Sequence, residues 1–248
     1  MRIGLYVIGD EILSGKRQDR HLANVAELLG ARGLQLSWVK FLGDELEILV
    51  KEFRDSFQSD DLVFSCGGIG GTPDDLTRHA VANALGIELE FHPQGLKILE
   101  SRAKYFDGGL TEQRKRMVEF PVGASLIPNP VNKVPGFSMH QHYFVPGFPK
   151  MAQPMIQWVL EHHYAELNDK DYLEWSTTLY EVPESDIADL MIEIQQQHPV
   201  KAFSLPRFVD NGYQIELGLK GDKSSVSNAR EQLTSVLNDR GYRFQEKP

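Results

Sequence analysis

A glycine-rich stretch followed by two aspartates has the residue types and the spacing of a phosphate or cation site. It runs from Cys66 to Thr77, between an apolar segment that predicts a buried strand and a segment, Arg78 to Leu85, that predicts a helix. Four glycines in five residues let a backbone approach a ligand closely and point N–H groups at an anion. The adjacent Asp74 and Asp75 could cap the helix, bind a cation or take part in chemistry.

A purely structural explanation also fits this stretch, with one aspartate as a helix cap and the glycines as a tight turn. The loop does not match the G-x-G-x-x-G dinucleotide pattern, and no lysine follows it as in a P-loop. The pairing of carboxylates with backbone donors nevertheless suits a phosphate and its metal ion better than a phosphate alone. We therefore keep both interpretations open for the isolated motif.

Two further acidic motifs, Gly9-Asp10-Glu11 and Gly43-Asp44, directly follow predicted strands. Taken singly, the first is explained by solvated loop charges and the second by a helix cap. If the strands before these motifs and before the glycine loop are parallel neighbours, their carboxyl ends meet at one edge of the sheet. The sequence then predicts one crevice lined by carboxylates from three strand ends.

Composition limits the classes of function. The chain has 248 residues, a formal net charge of -9 and a pI near 5.4, which disfavours extended binding to nucleic acid or to anionic membranes. The densest basic patch, Gln113 to Arg116, could still help to hold an anionic ligand. The single cysteine, Cys66, excludes an intramolecular disulfide and fits a reducing cytoplasm. The apolar start, Ile3 to Ile8, predicts a first strand rather than a signal peptide.

Alternating strands and amphipathic helices position these motifs, and they predict an α/β fold with a mostly parallel sheet. A polar segment at residues 168–171 predicts a boundary between a first domain, 1–168, and a second domain, 169–248. The second domain has a predicted βαββα order, which is typical of a small α+β domain. An Asn211-Gly212 turn predicts a hairpin between its second and third strands.

Taken together, the motifs resemble the molybdopterin-binding domain at the N-terminus of competence/damage-inducible CinA proteins, which is related to MogA, MoaB and gephyrin-type domains. The resemblance covers about residues 1–165. It is carried by the three acidic motifs and by Pro128-Asn129-Pro130, Pro135-Gly136-Phe137 and Pro146-Gly147-Phe148-Pro149. The trailing segment is similar to the small domain that follows in CinA proteins, and we expect their C-terminal nicotinamide-nucleotide amidase domain to be absent.

This resemblance implies a three-layer α/β/α fold, a homo-oligomer such as a dimer or trimer, and a pocket for a small-molecule nucleotide or pterin, with molybdopterin as one such ligand. It implies that Asp44 and Asp75 form the catalytic pair and hold a divalent metal, Mg, Mn or Co. We expect the ligand and its phosphate to contact the following residues: Gly9, Asp10, Glu11, Gly67, Gly68, Gly70, Gly71, Thr72, Asp74, Thr77, Asn129, Pro146 and Gly147.

The chain departs from the family pattern at two places. Asp19-Arg20-His21 stands where CinA proteins usually have an Asn or Asp, then Thr and Asn, and this affects the expected specificity of the pocket. Gly71 replaces a usual proline of the central loop and should make the loop more mobile.

Three functions follow from these expectations. The first is metal-dependent cleavage of a nucleotide pyrophosphate of the ADP-ribose type. The second is capture of a pterin or nucleotide without turnover. The third is molybdopterin adenylyl transfer, which the form Pro73-Asp74-Asp75-Leu76-Thr77 and the appended small domain make less favoured. The first and third reactions share the need for backbone donors, a cation and a carboxylate around a phosphoric anhydride.

Overall fold

The computed structural model describes residues 1–103, 109–209 and 212–246. The chain divides into two compact units, residues 1–168 and residues 169–248. None of the helices in the described ranges combines the length and the apolarity needed to cross a bilayer.

The first unit is an α/β unit whose main sheet has six strands in the order β2-β1-β3-β8-β7-β6, and a two-stranded sheet pairs β4 with β5. Its strands are β1 (Ile3–Ile8), β2 (Trp38–Leu42), β3 (Leu62–Cys66), β4 (Leu89–Phe91), β5 (Glu119–Pro121), β6 (Ser125–Ile127), β7 (Gly136–Met139) and β8 (His142–Val145). Strands β2, β1, β3 and β8 are parallel, whereas β7 and β6 are antiparallel to their neighbours. The mostly parallel sheet predicted from sequence is confirmed.

Helices cover both faces of this sheet. They are α1 (Asp10–Leu13), α2 (His21–Gly30), α3 (Leu46–Phe57), α4 (Thr77–Leu85), α5 (Pro93–Arg102), α6 (Glu112–Lys115) and α7 (Pro149–His163), and a 3₁₀ turn spans Arg116–Val118. All six residues of β1 are buried, because helices pack on both sides of it. The three-layer arrangement is therefore confirmed. The expectation that Asp10 and Glu11 are loop residues is wrong, because both lie in the single helical turn α1.

Two apolar clusters, one on each side of the sheet, form the core of the first unit. One contains side chains of α2 and α7, such as Val25 and Ile156, and the other contains side chains of α3, α4 and α5. In the second cluster, Phe144 stacks on Phe137 with ring centroids 4.5 Å apart and meets Phe53 edge-on at 5.5 Å. These buried rings hold β7, β8 and α3 together beside the carboxyl edge of the sheet.

The second unit is a small α+β unit. Its elements are β9 (Tyr172–Tyr180), α8 (Glu184–Gln197), β10 (Val200–Val209), β11 (Gly212–Asp222), α9 (Lys223–Asp239) and β12 (Phe244–Glu246). The strands form an antiparallel sheet in the order β10-β11-β9-β12. The predicted βαββα order is present. Strand β12 was not predicted, because three residues are too few to show a periodic pattern. Strands β10 and β11 pair as expected for a hairpin, while residues 210–211 of its turn lie outside the described residues.

We expect Phe144→Ala to lower the free energy of unfolding of the first unit by about 3–5 kcal/mol, because it removes a fully buried ring from an aromatic stack. Native-state hydrogen exchange of the β3 amides measures this loss. Ile48→Ala on α3 is the control, since Ile48 is 43% exposed and its loss should cost no more than about 0.5 kcal/mol. Equal effects of the two changes would contradict the role given to the stack.

Candidate functional site

The ends of three parallel strands form a cleft at the carboxyl edge of the main sheet. The Gly9 amide after β1 donates to the Leu42 carbonyl of β2 at 3.0 Å, and the Gly67 amide after β3 donates to the Val145 carbonyl of β8 at 3.0 Å. These bonds bring the predicted motifs around a cleft of about 370 Å³. Its lining consists of Ile8, Gly9, Glu11, Arg17, Asp44, Gly67, Gly68, Ile69, Gly70, Gly71, Thr72, Asp74, Asp75, Pro146, Gly147 and Phe148.

The first two glycines of the loop are required by backbone geometry. Gly67 has a φ of 114° and Gly68 a φ of 66°, which side-chain-bearing residues rarely adopt. A Cβ at Gly67 would lie 2.1 Å from the Ile8 carbonyl oxygen, and a Cβ at Gly68 would lie 2.3 Å from Thr77 Oγ1. The chain can therefore turn out of β3 this close to β1 only with glycine at both positions.

Asp75 braces the glycine loop from its far end. Its Oδ1 accepts from the Gly70 amide at 2.8 Å, and its Oδ2 accepts from the Thr72 amide at 2.8 Å and from Thr72 Oγ1 at 2.5 Å. Helix α4 starts after Leu76, and no side chain caps it. The interpretation of Asp74 or Asp75 as a helix cap is therefore wrong, because Asp75 satisfies loop amides and not helix amides.

The brace leaves part of the loop backbone available. The N–H groups of Gly68, Ile69 and Gly71 donate to no acceptor within the described ranges, whereas those of Gly67, Gly70 and Thr72 are already bonded inside the protein. The loop can thus offer three backbone donors to an anion. The whole glycine-rich stretch would provide more donors if all of its amides were available to the anion.

Two residues at the start of α4 support the loop from below. The buried Thr77 donates its hydroxyl to the Gly67 carbonyl at 3.0 Å, so it lies behind the lining of the cleft. The guanidinium of Arg78, which is 2% exposed, donates to the Gly70 carbonyl at 2.7 Å and also to the carbonyls of Arg116 and Glu119. Burial lowers the pKa of Arg78. Sequence reasoning missed this support, because a basic residue in a first helical turn gives no signal of burial.

Asp10 and Asp44 bind each other's backbone, but only Asp44 lines the cleft, so the predicted ligand contact at Asp10 is not among its lining residues. The Asp10 amide donates to Asp44 Oδ2 at 3.0 Å, and the Asp44 amide donates to Asp10 Oδ1 at 3.1 Å. Asp44 does not cap α3, whose N-terminal flanking residue is Glu45 and which has no side-chain cap. The helix-cap interpretation of Asp44 is therefore wrong as well, since its carboxylate is held by the turn after β1.

Negative charge accumulates around Asp44. Partial burial raises the pKa of its carboxyl group, and the charges of Asp10, Glu11 and Asp74 raise this pKa further. Hydrogen bonding within the loop lowers the pKa of the exposed Asp74 instead. The cleft thus has an ionised carboxylate at its rim and a carboxylate at its floor that gains from a nearby cation.

Four residues that line the cleft were not predicted as ligand contacts, namely Ile8, Arg17, Ile69 and Phe148. Arg17 places Nη1 3.5 Å from Glu11 Oε1, and its guanidinium carbon lies 6.0 Å from the centre of the Phe148 ring. Arg17 is the one basic residue among those that line the cleft. Neither its spacing nor its sequence neighbours distinguish it from an ordinary surface arginine.

The Pro146-Gly147 turn is held by a residue of the segment that departs from the family pattern. The His21 ring is 5% exposed, and it hydrogen-bonds the Gly147 backbone while burial lowers its pKa. Asp19 accepts from the amides of His21 and Leu22 at 2.8 and 3.0 Å and so fixes the start of α2. The segment Asp19-Arg20-His21 therefore supports one wall of the cleft.

Asn129 is a correction to the predicted ligand set, because it does not line this cleft. Its Oδ1 accepts from the amides of Val131 and Asn132 at 3.0 and 3.4 Å, which makes it the organiser of a turn after β6. It borders a separate cavity of about 600 Å³ that also contacts Lys133 and Trp158. The separation follows from strand order, since β6 is the edge strand and β7 and β8 lie between it and β3.

The carboxylates could hold a divalent ion only together with a ligand. Among the described residues, no group of three or more His, Cys, Asp or Glu side chains is arranged to hold a metal ion. Magnesium, however, is commonly bound by one or two carboxylates with substrate phosphates and waters completing its shell. The raised pKa of Asp44 amid other carboxylates fits such a shared site.

Comparison with known proteins defines the class. Residues 4–165 match the family described as "Probable molybdopterin binding domain". A solved structure of the protein CinA from Thermoplasma acidophilum, whose function is given as unknown, shares 27% identity and a TM-score of 0.58 over 65% of this chain and 98% of that one. The chain therefore belongs to the molybdopterin-binding-domain family, and it is CinA-like within it.

Sequence relatives agree with this assignment. A protein of Pyrobaculum arsenaticum (strain DSM 13514 / JCM 11321 / PZ6) is 31% identical over 199 residues, which are 77% of this chain and 74% of that protein. A protein of Clostridium botulinum (strain Loch Maree / Type A3), named as competence-damage inducible, is 29% identical over 208 residues. That match covers 82% of this chain but about half, 51%, of the relative's length.

We expect Asp75→Asn to speed hydrogen exchange of the Gly70 and Thr72 amides by about tenfold or more, because hydrogen bonds to a charged group contribute about 1.5–3 kcal/mol and 1.4 kcal/mol corresponds to tenfold. NMR-detected exchange measures this. Asp74→Asn removes a neighbouring charge and should leave the Gly70 amide unchanged. Unchanged exchange of these amides in Asp75→Asn would contradict the role of Asp75 in holding the loop.

We expect Asp44→Asn to stabilise the folded protein at pH 7 by about 0.5 kcal/mol, a figure reduced for solvent screening at a partly exposed group. Folding raises the pKa of Asp44 above 3.8, so its ionised form opposes folding at pH values above the raised pKa and has no effect below 3.8. Urea denaturation between pH 7 and pH 3.5 should show the gain disappearing as the pH falls. The exposed Glu45→Gln is the control, and a gain independent of pH would contradict this origin.

Proposed function

We propose that the cleft binds a nucleotide that contains a pyrophosphate, of the ADP-ribose type, and cleaves its anhydride with the help of a divalent metal. One observation supports this most directly. The acidic residues near Asp44 and the loop amides that have no acceptor among the described residues belong to the same cleft. A pyrophosphate anhydride needs both groups, because its oxygens accept hydrogen bonds from backbone N–H groups and its negative charge must be offset by a cation that carboxylates hold.

Each group of the cleft has a defined part in this proposal. The amides of Gly68, Ile69 and Gly71 bind the phosphate oxygens, and Asp75 keeps these amides in position through Gly70 and Thr72. Arg17 lines the same cleft, where its positive charge favours an anionic ligand. These contacts hold the anhydride beside the carboxylates.

Asp44 and Asp75 are the residues that would hold the metal, and Asp74 and Glu11, which line the same cleft and whose charges act on Asp44, would support the cation. A bound magnesium, manganese or cobalt ion would offset the charge of the phosphates and favour ionisation of a water molecule. Asp44 orients the attacking water and accepts its proton, because a carboxylate beside the cation is within reach of the water that the cation would bind and acidify. Asp75 has lone pairs left beyond its three loop bonds, so it remains a second contact for the cation or the water.

The reaction consumes one water molecule. Its oxygen bonds to one phosphorus atom while the bond from that phosphorus to the bridging oxygen breaks, and the bridging oxygen leaves on the other phosphate. From ADP-ribose, the products are AMP and ribose 5-phosphate, with protons released to Asp44 and to solvent. The chain need not donate any group of its own to either product.

A second candidate function is binding of molybdopterin or a related pterin, without turnover or with adenylyl transfer to it. The observation that favours it is the family match over residues 4–165. The same loop amides and carboxylates would then hold the pterin's phosphate and a cation. This candidate differs from the first in its product, because adenylyl transfer joins AMP to the pterin and hydrolysis only releases AMP.

We expect AMP release from ADP-ribose in the presence of magnesium, manganese or cobalt, and a fall in kcat/KM of about 100-fold or more in Asp44→Asn, as is typical when a general base is lost. Chromatography of a panel of nucleotide diphosphates, with and without each metal, measures this. Glu45→Gln is the matched control, because Glu45 adjoins Asp44 in sequence but does not line the cleft.

The same panel separates the candidates. Calorimetric binding of ADP-ribose or pterin without any product would support capture and contradict hydrolysis. AMP joined to molybdopterin in the presence of ATP would support adenylyl transfer. Activity that is equal in Asp44→Asn and in the unmodified protein would show that the reaction does not use this cleft.

A further inference from the structure

A second cavity lies directly beside the cleft and shares part of its wall. It has a volume of about 420 Å³ and is lined by Gly71 and Thr72, which also line the cleft, and by Thr111, Gln113, Arg114 and Met117. Each cavity alone is near the lower end of the range of about 300–1,000 Å³ that is usual for small-molecule sites. A ligand with two parts could therefore pass over the Gly71-Thr72 rim and occupy both.

The two cavities differ in charge. Four carboxylates line the cleft, whereas none of the described residues that line the second cavity carries a carboxylate. The cleft suits phosphate groups with a cation, while the second cavity suits the uncharged part of the same ligand. The division of charge matches a nucleotide or a pterin phosphate, in which a fused ring is joined to a phosphate.

The side chains of the second cavity suit a flat heteroaromatic ring. Met117 offers a polarisable thioether, which makes favourable contacts with aromatic rings. Arg114 offers a planar guanidinium, held in place by a bond to the Gly109 carbonyl, and guanidinium groups stack on ring faces. Gln113 offers an exposed amide for the ring's edge, and its Nε2 donates to the Gly71 carbonyl at 3.4 Å.

Position 71 requires glycine because there is little room for a side chain, and not because of its backbone conformation. It is absent from the glycines with positive φ, unlike Gly67 and Gly68. A Cβ at this position would lie 2.9 Å from the Gln113 carbonyl oxygen and 3.4 Å from Met117 Cγ. Any side chain at this rim would therefore push against two residues that line the second cavity.

We propose that the second cavity receives the fused heteroaromatic ring of the ligand, and that Gly71 is the specificity-determining residue that keeps the cavity open to it. This inference rests on the proposed function only in assuming that the ligand's phosphate occupies the cleft. It concerns binding, and it holds whether or not the anhydride is then cleaved.

The test compares ligands with and without the ring by calorimetry, in the presence of magnesium. AMP and neopterin monophosphate carry a ring, and ribose 5-phosphate does not. In Gly71→Ala, which keeps the amide assigned to the phosphate, we expect affinity for the ring-bearing ligands to fall by about tenfold or more and affinity for ribose 5-phosphate to fall by no more than about threefold. In Gln113→Ala, a change of an exposed side chain, the same pattern should appear with a smaller loss.

Gly30→Ala is the matched control, because a Cβ there meets no atom within 4 Å and Gly30 does not have a positive φ. Preference for AMP over neopterin monophosphate, or the reverse, identifies which ring the cavity takes. Equal losses for ribose 5-phosphate and AMP in Gly71→Ala would overturn the inference, as would failure of the unmodified protein to bind either ring-bearing ligand. Loss of AMP release with this binding pattern intact would refute hydrolysis alone.

Discussion

The three hydrogen bonds that the Asp75 carboxylate accepts from Gly70 and Thr72 set the shape of the loop on which the cleft depends. Without them, two amides of a glycine-rich segment would lack partners and the segment would have many accessible conformations. Arg78 binds the Gly70 carbonyl from the buried side, so the same residue is fixed through both its N–H and its C=O. The loop can then present its remaining amides without being ordered by the ligand.

The arrangement of carboxylates has a cost for the folded protein. Asp44 is partly buried beside like charges, and Arg17, the one basic residue of the cleft lining within the described part of the chain, is paired with Glu11 and not with Asp44. A protein selected for stability alone would separate or neutralise these groups, since ionised neighbours oppose each other in the folded state. Their retention in one cleft is explained if a cation and a phosphate complete the charge balance. The repulsion among these carboxylates therefore lowers the stability of the free protein, and the ligand that we propose would relieve it.

The sequence predicts most of the fold because its signals are periodic or local. Strand β1 has the predicted bounds, since a continuous apolar run leaves few alternatives, and helix α8 follows the first strand of the second unit as the predicted order requires. The convergence of acidic motifs at strand ends was also predictable, because it follows from parallel strand topology. Hydrogen-bond partners were not predictable in this way. An aspartate before a helix suggests a cap, and only the three-dimensional loop shows that Asp75 turns back to Gly70.

Residues that act over long sequence separations also escaped prediction. Asn129 follows an edge strand, and its distance from the cleft depends on the strand order of the whole sheet, which no local pattern encodes. Arg78 reaches Arg116 and Glu119 across about forty residues of chain, and its burial follows from that packing. Such contacts become visible only when the elements have been placed against one another.

The loop glycines show that one residue type can satisfy unrelated constraints within five positions. Gly67 and Gly68 are needed because the backbone leaves β3 with positive φ, so a substitution there acts on the fold. Gly70 and Gly71 lie in ordinary backbone regions, and their missing side chains leave room for the Asp75 carboxylate and for the residues beyond the rim. The identity of the residue at position 71 therefore sets the space at the rim. Substitutions at the first pair therefore act on the fold, whereas a substitution at Gly71 acts on the space between the two cavities.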